Sequence, residues 1–439
     1  MTANNNQANS DSKLLQTEII EAETTSPETA IIETTTRRGR LFISLRYPEY
    51  RYLWSGAFLS NIGTWIQSVA LGWFVFQVTN SEFSLGLVNF TSSLPTFFLA
   101  LVGGVIADRY ERRSLLIISQ IILMVLAFVL GLLVSLRVAN ILIILAISLA
   151  AGIASSFNFP AWQALIPELV PRKDLMNAVA LNSAQFNAAR LVGPAVAGII
   201  IARLGVAPSF YINALSFLAV IVALVLIKPR PVKTAKVSGN IWQNLISGIN
   251  YARRDISIAM LLISLGILSI FGMSHTVLMP VFARDILKVG PGGLGYLMAA
   301  SGFGAVLGAL IVAGLSHSVQ RKTLIKFSIL SYSIFLFIFA LSREFIVSII
   351  AQAGIGISFL ISVSATNTSL QAAVPTEFRG RIMSLFVWCF IGLAPIGSFF
   401  IGSIANLLGS PTAVAIGAVI LMLTSIMLFI RRNLLESAE

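Results

Sequence analysis

Arg190 interrupts an apolar stretch that runs from residue 177 to residue 203. At the centre of a bilayer a guanidinium costs about 2.5–3.5 kcal/mol on insertion scales, so this side chain is expected to face protein or a wet cavity. Three uses fit the position: pairing with a bound anionic substrate, pairing with a mobile acid, or bracing backbone carbonyls as a static strut. Ser183, Asn187, Arg190, Pro194 and Gly198 recur at steps of three and four, which puts them on one stripe of a helix. No Asp or Glu falls deep inside an apolar run. Glu82, Asp285 and Glu344 lie near the external ends of spans, whereas Glu168, Asp174 and Glu377 lie in cytoplasmic loops. His275 is the remaining titratable group inside a span. An imidazole titrates near neutral pH and suits proton exchange, and hydrogen-bonded packing is its alternative use.

A second constellation, Gly104-x-x-x-Asp108-Arg109-x-x-Arg112-Arg113, closes an earlier apolar run. A glycine one turn before the end lets neighbouring helices approach closely. Asp108 and the three arginines then sit where the helix meets water. The acid can pair with arginines of another loop, with Arg379 and Arg381 as candidates, or cap the N-terminus of a facing helix. A contact that exists in one conformation only makes a gate. Membrane topology alone explains the arginines but not the lone acid at that spacing.

Other chemistries lack their residues. Catalysis beside the spans would need paired carboxylates or a His/Asp constellation, and the sequence has neither, so no enzyme is expected. Cys389 is the single cysteine, which excludes a disulfide framework, a redox pair and a Cys/His metal pattern. Neither metal nor cofactor is expected.

The elements that must position these residues are membrane helices. The chain is 56% hydrophobic and 11% charged, against about 25% charged in a soluble domain. Its net charge of +12 lies in short clusters between apolar runs, which fits membrane orientation and not a nucleic-acid surface. The pattern predicts an all-α membrane protein with twelve transmembrane helices. The first six run at approximately 52–77, 83–107, 114–136, 140–162, 177–203 and 208–228. The second six run at approximately 256–282, 292–316, 323–341, 345–368, 382–407 and 411–431. Five segments follow: a disordered cytoplasmic tail (1–45), a six-helix bundle (46–228), a cytoplasmic linker (229–255), a second bundle (256–432) and a short tail (433–439). Within the linker Trp242, Leu245, Ile246, Ile249 and Ala252 recur at helical spacing, which predicts an amphipathic helix on the inner leaflet. With both termini cytoplasmic, the external turns hold only Arg137, Arg203, Arg284, Lys288 and Arg343.

The halves echo each other. GLVNFTSSLPTFFLALVGGVIADRYERRSLL from Gly86 is answered by GLGYLMAASGFGAVLGALIVAGLSHSVQRKTLI from Gly293, and QALIPELVPRKDLMNAVAL from Gln163 by QAAVPTEFRGRIMSLFVW from Gln371. Two pseudo-symmetric six-helix bundles around a central site are the architecture of a carrier.

GGVIADRYERR resembles the loop signature of the major facilitator superfamily, with Glu111 at a position usually held by glycine. FPAWQALIPELVPRKDLMNAVALNSAQ, from Phe159 to Gln185, is similar to the branch containing enterobactin-type siderophore exporters and macrolide-efflux permeases. The resemblance runs from about Tyr47 to Arg432. It implies alternating access and export driven by the proton gradient, in a multi-pass inner-membrane protein. His317 stands where Asp108 would fall in the second gate copy. Gly193-Pro194 with Gly198 resembles the antiporter motif of the fifth helix. In this superfamily the first, fourth, seventh and tenth helices line the centre. Here those carry Asn61, Trp65 and Gln67; Ser155, Ser156 and Asn158; His275; and Ser362 and Asn367. An acidic siderophore or amphipathic metabolite is the expected substrate, carried by a monomer in the lipid bilayer in exchange for protons. A macrolide-type drug or a lysophospholipid is the alternative.

Overall fold

The computed structural model describes residues 42–109, 111–227, 241–315 and 319–430, with side chains throughout except at 99–109, 159–160, 241–245 and 315. The first half holds α1 (Pro48–Thr79), α2 (Glu82–Arg109), α3 (Arg112–Ser135), α4 (Ile141–Leu169), α5 (Leu175–Leu204) and α6 (Ala207–Leu226). A short α7 (Ile241–Arg254) follows. The second half holds α8 (Ile256–Ile286), α9 (Gly290–Leu315), α10 (Arg321–Leu341), α11 (Phe345–Ala373), α12 (Thr376–Leu408) and α13 (Ser410–Ile430). Ten of these helices are apolar enough to cross a membrane on composition alone. The 32-residue α1 and 28-residue α2 complete the expected twelve, since even 28 residues span about 42 Å of helix against a hydrocarbon core of about 30 Å. The expected tails, apart from 42–45, and the linker before α7 (229–240) lie outside the described residues.

Local chemistry sets the helix ends. Pro48 opens α1, where its missing N–H costs nothing, and Asn80 in a left-handed conformation (φ 47°) ends it. Asn140 caps α4 by accepting from the Ile143 N–H at 3.0 Å, and Asp255 caps α8 by accepting from the Ser257 N–H at 2.9 Å. Around the start of α1, Tyr47 Oη donates to Asp174 Oδ2 at 2.6 Å, Tyr50 Oη to the Ala178 carbonyl at 2.7 Å and Trp54 Nε1 to the Leu181 carbonyl at 3.0 Å. These bonds clamp the start of α1 to the start of α5.

Pairing within each half is duplicated. α2 lies on α4 as α9 lies on α11, α3 on α6 as α10 on α13, and α3 on α4 as α10 on α11. The seam between halves obeys the same exchange, with α5 on α9 and α2 on α12. The largest apolar cluster crosses this seam, from Phe76, Leu85 and Phe210 to Phe282, Leu294 and Phe339.

Two helices of the second half depart from regularity. α8 widens into a π turn at Leu268–Gly272, tightens to a 3₁₀ stretch at Met273–Leu278 and widens again at Phe282–Ile286. α12 widens at Trp388–Gly392. Pro280 and Pro395 each remove one N–H from the ladder, and the adjacent turns rearrange around the carbonyls left without a helical donor. The wide turns at Leu268–Gly272 and Trp388–Gly392 meet where Ser269 Oγ donates to the Phe390 carbonyl at 2.8 Å. α7 packs on the start of α12, with Tyr251 stacked on Phe378 at 4.5 Å between centroids.

Candidate functional site

The small-residue stripe of α5 forms the seam. A side-chain carbon added to Gly295 of α9 would stand 2.5 Å from the Pro194 carbonyl oxygen and 3.0 Å from Gly198 Cα. At Gly302 it would stand 2.9 Å from the Arg190 carbonyl oxygen. Only glycine permits backbones this close. Gly193 faces the other way, against Trp65 and the Ile62 carbonyl of α1.

The symmetry-related seam is equally tight. A carbon on Gly402 of α12 would stand 2.8 Å from Gly86 Cα on α2. Phe83, Phe90 and Phe97, spaced by seven, line this face of α2. Phe83 and Phe90 meet Phe399 at 5.8 and 5.4 Å, and Phe97 meets Trp388 at 5.5 Å.

Arg190 sits where the α5 seam ends. Its Nη2 donates to Ser301 Oγ of α9 at 3.3 Å, and its guanidinium carbon lies 5.5 Å from the Phe359 ring centroid of α11. The side chain thus leaves the first half and is held by the second. Guanidinium offers five N–H donors, and among the described residues no carboxylate pairs with it. One α5 stripe therefore has two environments: Arg190, Pro194 and Gly198 are packed against α9, whereas Ser183 is exposed. Phe186, also exposed at 48%, meets Trp65 edge-on at 6.3 Å.

Other expected cavity residues go to different places. Gln67 accepts from Asn213 Nδ2 at 2.7 Å, which puts it between α1 and α6. Asn187 donates to the Ser183 carbonyl of its own helix at 2.9 Å. His275, 2% exposed, lies inside the second half between Tyr332 and Phe339, with Nδ1 2.6 Å from the Gly272 carbonyl oxygen. The 3₁₀ stretch turns it inward, so it does not line the space between the halves. Gln352 lies within reach of the imidazole, although neither His275 Nε2 nor Gln352 Oε1 makes a hydrogen bond of strict geometry among the described residues. Asn61 and Asn158 are half-buried and Ser155 is exposed. Ser156 is buried and donates to the Gly152 carbonyl at 2.8 Å. Ser362 is buried on α11, where Asn367 accepts from Gln371 Nε2.

Of the gate signature, Gly104, Asp108 and Arg109 lie on α2 with side chains outside the described set, as does all of His317. Arg112 pairs with Glu168 and donates to the Ala164 carbonyl at 3.3 Å. Arg113 donates to the Leu224 and Val225 carbonyls at 2.6 and 2.8 Å. Arg379 is exposed, and Arg381 rests 5.2 Å from the Phe378 ring centroid. Arg112 and Arg113 bind their own half, and Arg381 rests on a ring of its own.

The opposite, charge-poor face carries a lock that the sequence reading missed. Arg284 of α8 stands over the Phe76 ring of α1, donates to the Phe76 carbonyl at 3.3 Å and to Asn80 Oδ1, and pairs with Asp285 at 2.7 Å. Its signal was its rarity, as one of few cations on that side.

Duplicated halves, glycine seams and a mid-span cation between them define a membrane transporter of the major facilitator type, not an enzyme. The chain belongs to the transmembrane secretion effector family, whose description matches residues 41–439. It is 26% identical to the staphyloferrin A transporter of Staphylococcus aureus over 88% of this chain and 96% of that protein. It is 25% identical to the enterobactin exporter EntS of Escherichia coli over 84% of this chain and 88% of that one. Among solved structures, a point mutant of the nucleoside transporter NupG superposes with a TM-score of 0.73 at 14% identity, covering 87% of this chain and 99% of that one. A bacterial homologue of the human lysosomal transporter Spinster, inward-facing and unoccupied, superposes with a TM-score of 0.69 at 14% identity, covering 90% and 97%.

Proposed function

We propose that this protein exports an acidic siderophore or similar amphipathic anion across the inner membrane by alternating access, as a monomer with both termini cytoplasmic. The observation that carries the reading is Arg190, a cation at the seam of the halves with no carboxylate partner among the described residues. Trp65 and Phe186 offer apolar faces near the open part of the same helix, a combination suited to an aromatic or amphipathic acid. The relatives named for staphyloferrin A and enterobactin support that substrate class.

In the mechanism, the glycine seams and the Arg284 lock hold the external face closed while substrate enters from the cytoplasm and meets Arg190. Rocking of the halves then parts these seams, and the Asp108 gate with Arg379 and Arg381 closes the cytoplasmic face. Protons drive the cycle in antiport. His275 is the candidate carrier, an imidazole buried in the second half beside Gln352. Comparing cells with and without the gene under iron limitation tests the reading. Siderophore retained inside the deletion strain supports it, and unchanged secretion refutes it.

A further inference from the structure

A groove of about 440 Å³ runs along the outer surface of the first half, between α1 and α6. Its floor is set by Gly56, where an added carbon would stand 2.9 Å from the Ala219 carbonyl oxygen. Leu59, Leu218 and Val222 form its walls and are exposed to the surroundings. The stretch from Tyr52 to Leu59 covers about 10 Å of helix axis, all apolar but for Ser55. In a spanning protein this surface faces lipid tails, so an apolar wall alone needs no explanation.

The end of the groove is different. Tyr52 rims it, and the exposed Arg51 rests its guanidinium carbon 5.7 Å from the Tyr52 ring centroid. On the α6 side, Arg113 donates to the Leu224 and Val225 carbonyls, two residues and one residue before Leu226 of the groove lining. A guanidinium has five N–H groups, and these bonds use two of its three nitrogens. Arg46 is exposed just before α1, and Glu49 is the acid of the first α1 turn. The polar end is therefore net cationic, with one arginine on each side of an apolar slot.

We propose that this groove is a binding site for one anionic phospholipid, its phosphate between Arg51 and Arg113 and one acyl chain along Gly56 and Ala219. A cation beside a lipid phosphate favours anionic over zwitterionic headgroups, and the slot keeps one chain in place.

The test is native mass spectrometry of the full chain with equal amounts of phosphatidylglycerol and phosphatidylcholine. The wild type retains phosphatidylglycerol with a preference of about 25-fold, a factor of about five for each of the two arginines near an anionic lipid. Arg51→Gln lowers that preference to about fivefold, the share of Arg113 alone. Val222→Trp, at an exposed wall position, abolishes retention of either lipid. Equal retention by the wild type, meaning annular lipid only, overturns the proposal, as does undiminished binding in Val222→Trp. A wild-type dimer that Val222→Trp splits into monomers overturns it too, because the groove is then a contact between copies.

Discussion

Arg284 stands over Phe76 with its guanidinium carbon 3.7 Å from the ring centroid, and the two residues belong to different halves of the molecule. The stacking joins the end of α1 to the end of α8 on the charge-poor face, and Asn80, in its left-handed conformation, adds an acceptor. Cation–π contacts contribute about 0.5–2 kcal/mol according to desolvation. Arg284→Ala should therefore let this face open more often, by up to roughly thirtyfold. Spin labels at the exposed positions Val78 and Lys288 should report a longer-distance population in the variant. An unchanged distance distribution would show that the lock holds nothing.

Gly295→Val should be more severe than its size suggests. The new carbon would meet the Pro194 carbonyl and Gly198, both backbone, so neither can rotate away. The variant should insert normally but fail to seal the charge-poor face, with transport reduced at least about tenfold. Normal transport would mean that the α5–α9 seam does not re-form in each cycle.

Arg190→Ala should weaken anionic substrates more than neutral ones. A pairing that contributes about 1.5–3 kcal/mol predicts a loss of roughly ten- to a hundredfold in apparent affinity for the anion alone. Equal losses for both substrate classes would favour a static brace to Ser301.

Tyr47→Phe removes a hydrogen bond to the buried Asp174 carboxylate without changing the packing volume much. Bonds to charged groups contribute about 1.5–3 kcal/mol, so the apparent melting temperature should fall by several degrees. An unchanged melting temperature would show that the clamp between the α1 and α5 starts contributes little.

The spans were legible because hydrophobic length is a local property: each needs only its own residues to read as a helix. The Arg284 lock was not, because one external arginine looks like topology until Phe76 and Asn80 are placed beside it, some 200 residues away in sequence. The stripe on α5 was visible as a stripe, but which helix it meets depends on the glycines of α9. Gly193 read as part of that motif, yet its free side faces Trp65 in its own half. His275 read as a cavity residue from its place on the seventh span, with hydrogen-bonded packing as its alternative use, and sequence spacing does not choose between them. The π and 3₁₀ turns around Pro280 rotate it into the second half, and their extent depends on packing against Phe390 and Tyr332.

In the proposed mechanism, the substrate anion crosses the membrane through a site that contains Arg190. Inside-out proteoliposomes with an acidic lumen, supplied externally with an iron-free siderophore, measure this directly. The protein should accumulate siderophore in the lumen, lose that accumulation when a protonophore collapses the gradient, and lose most of it in Arg190→Ala. Accumulation that ignores the gradient and persists in Arg190→Ala would contradict the account.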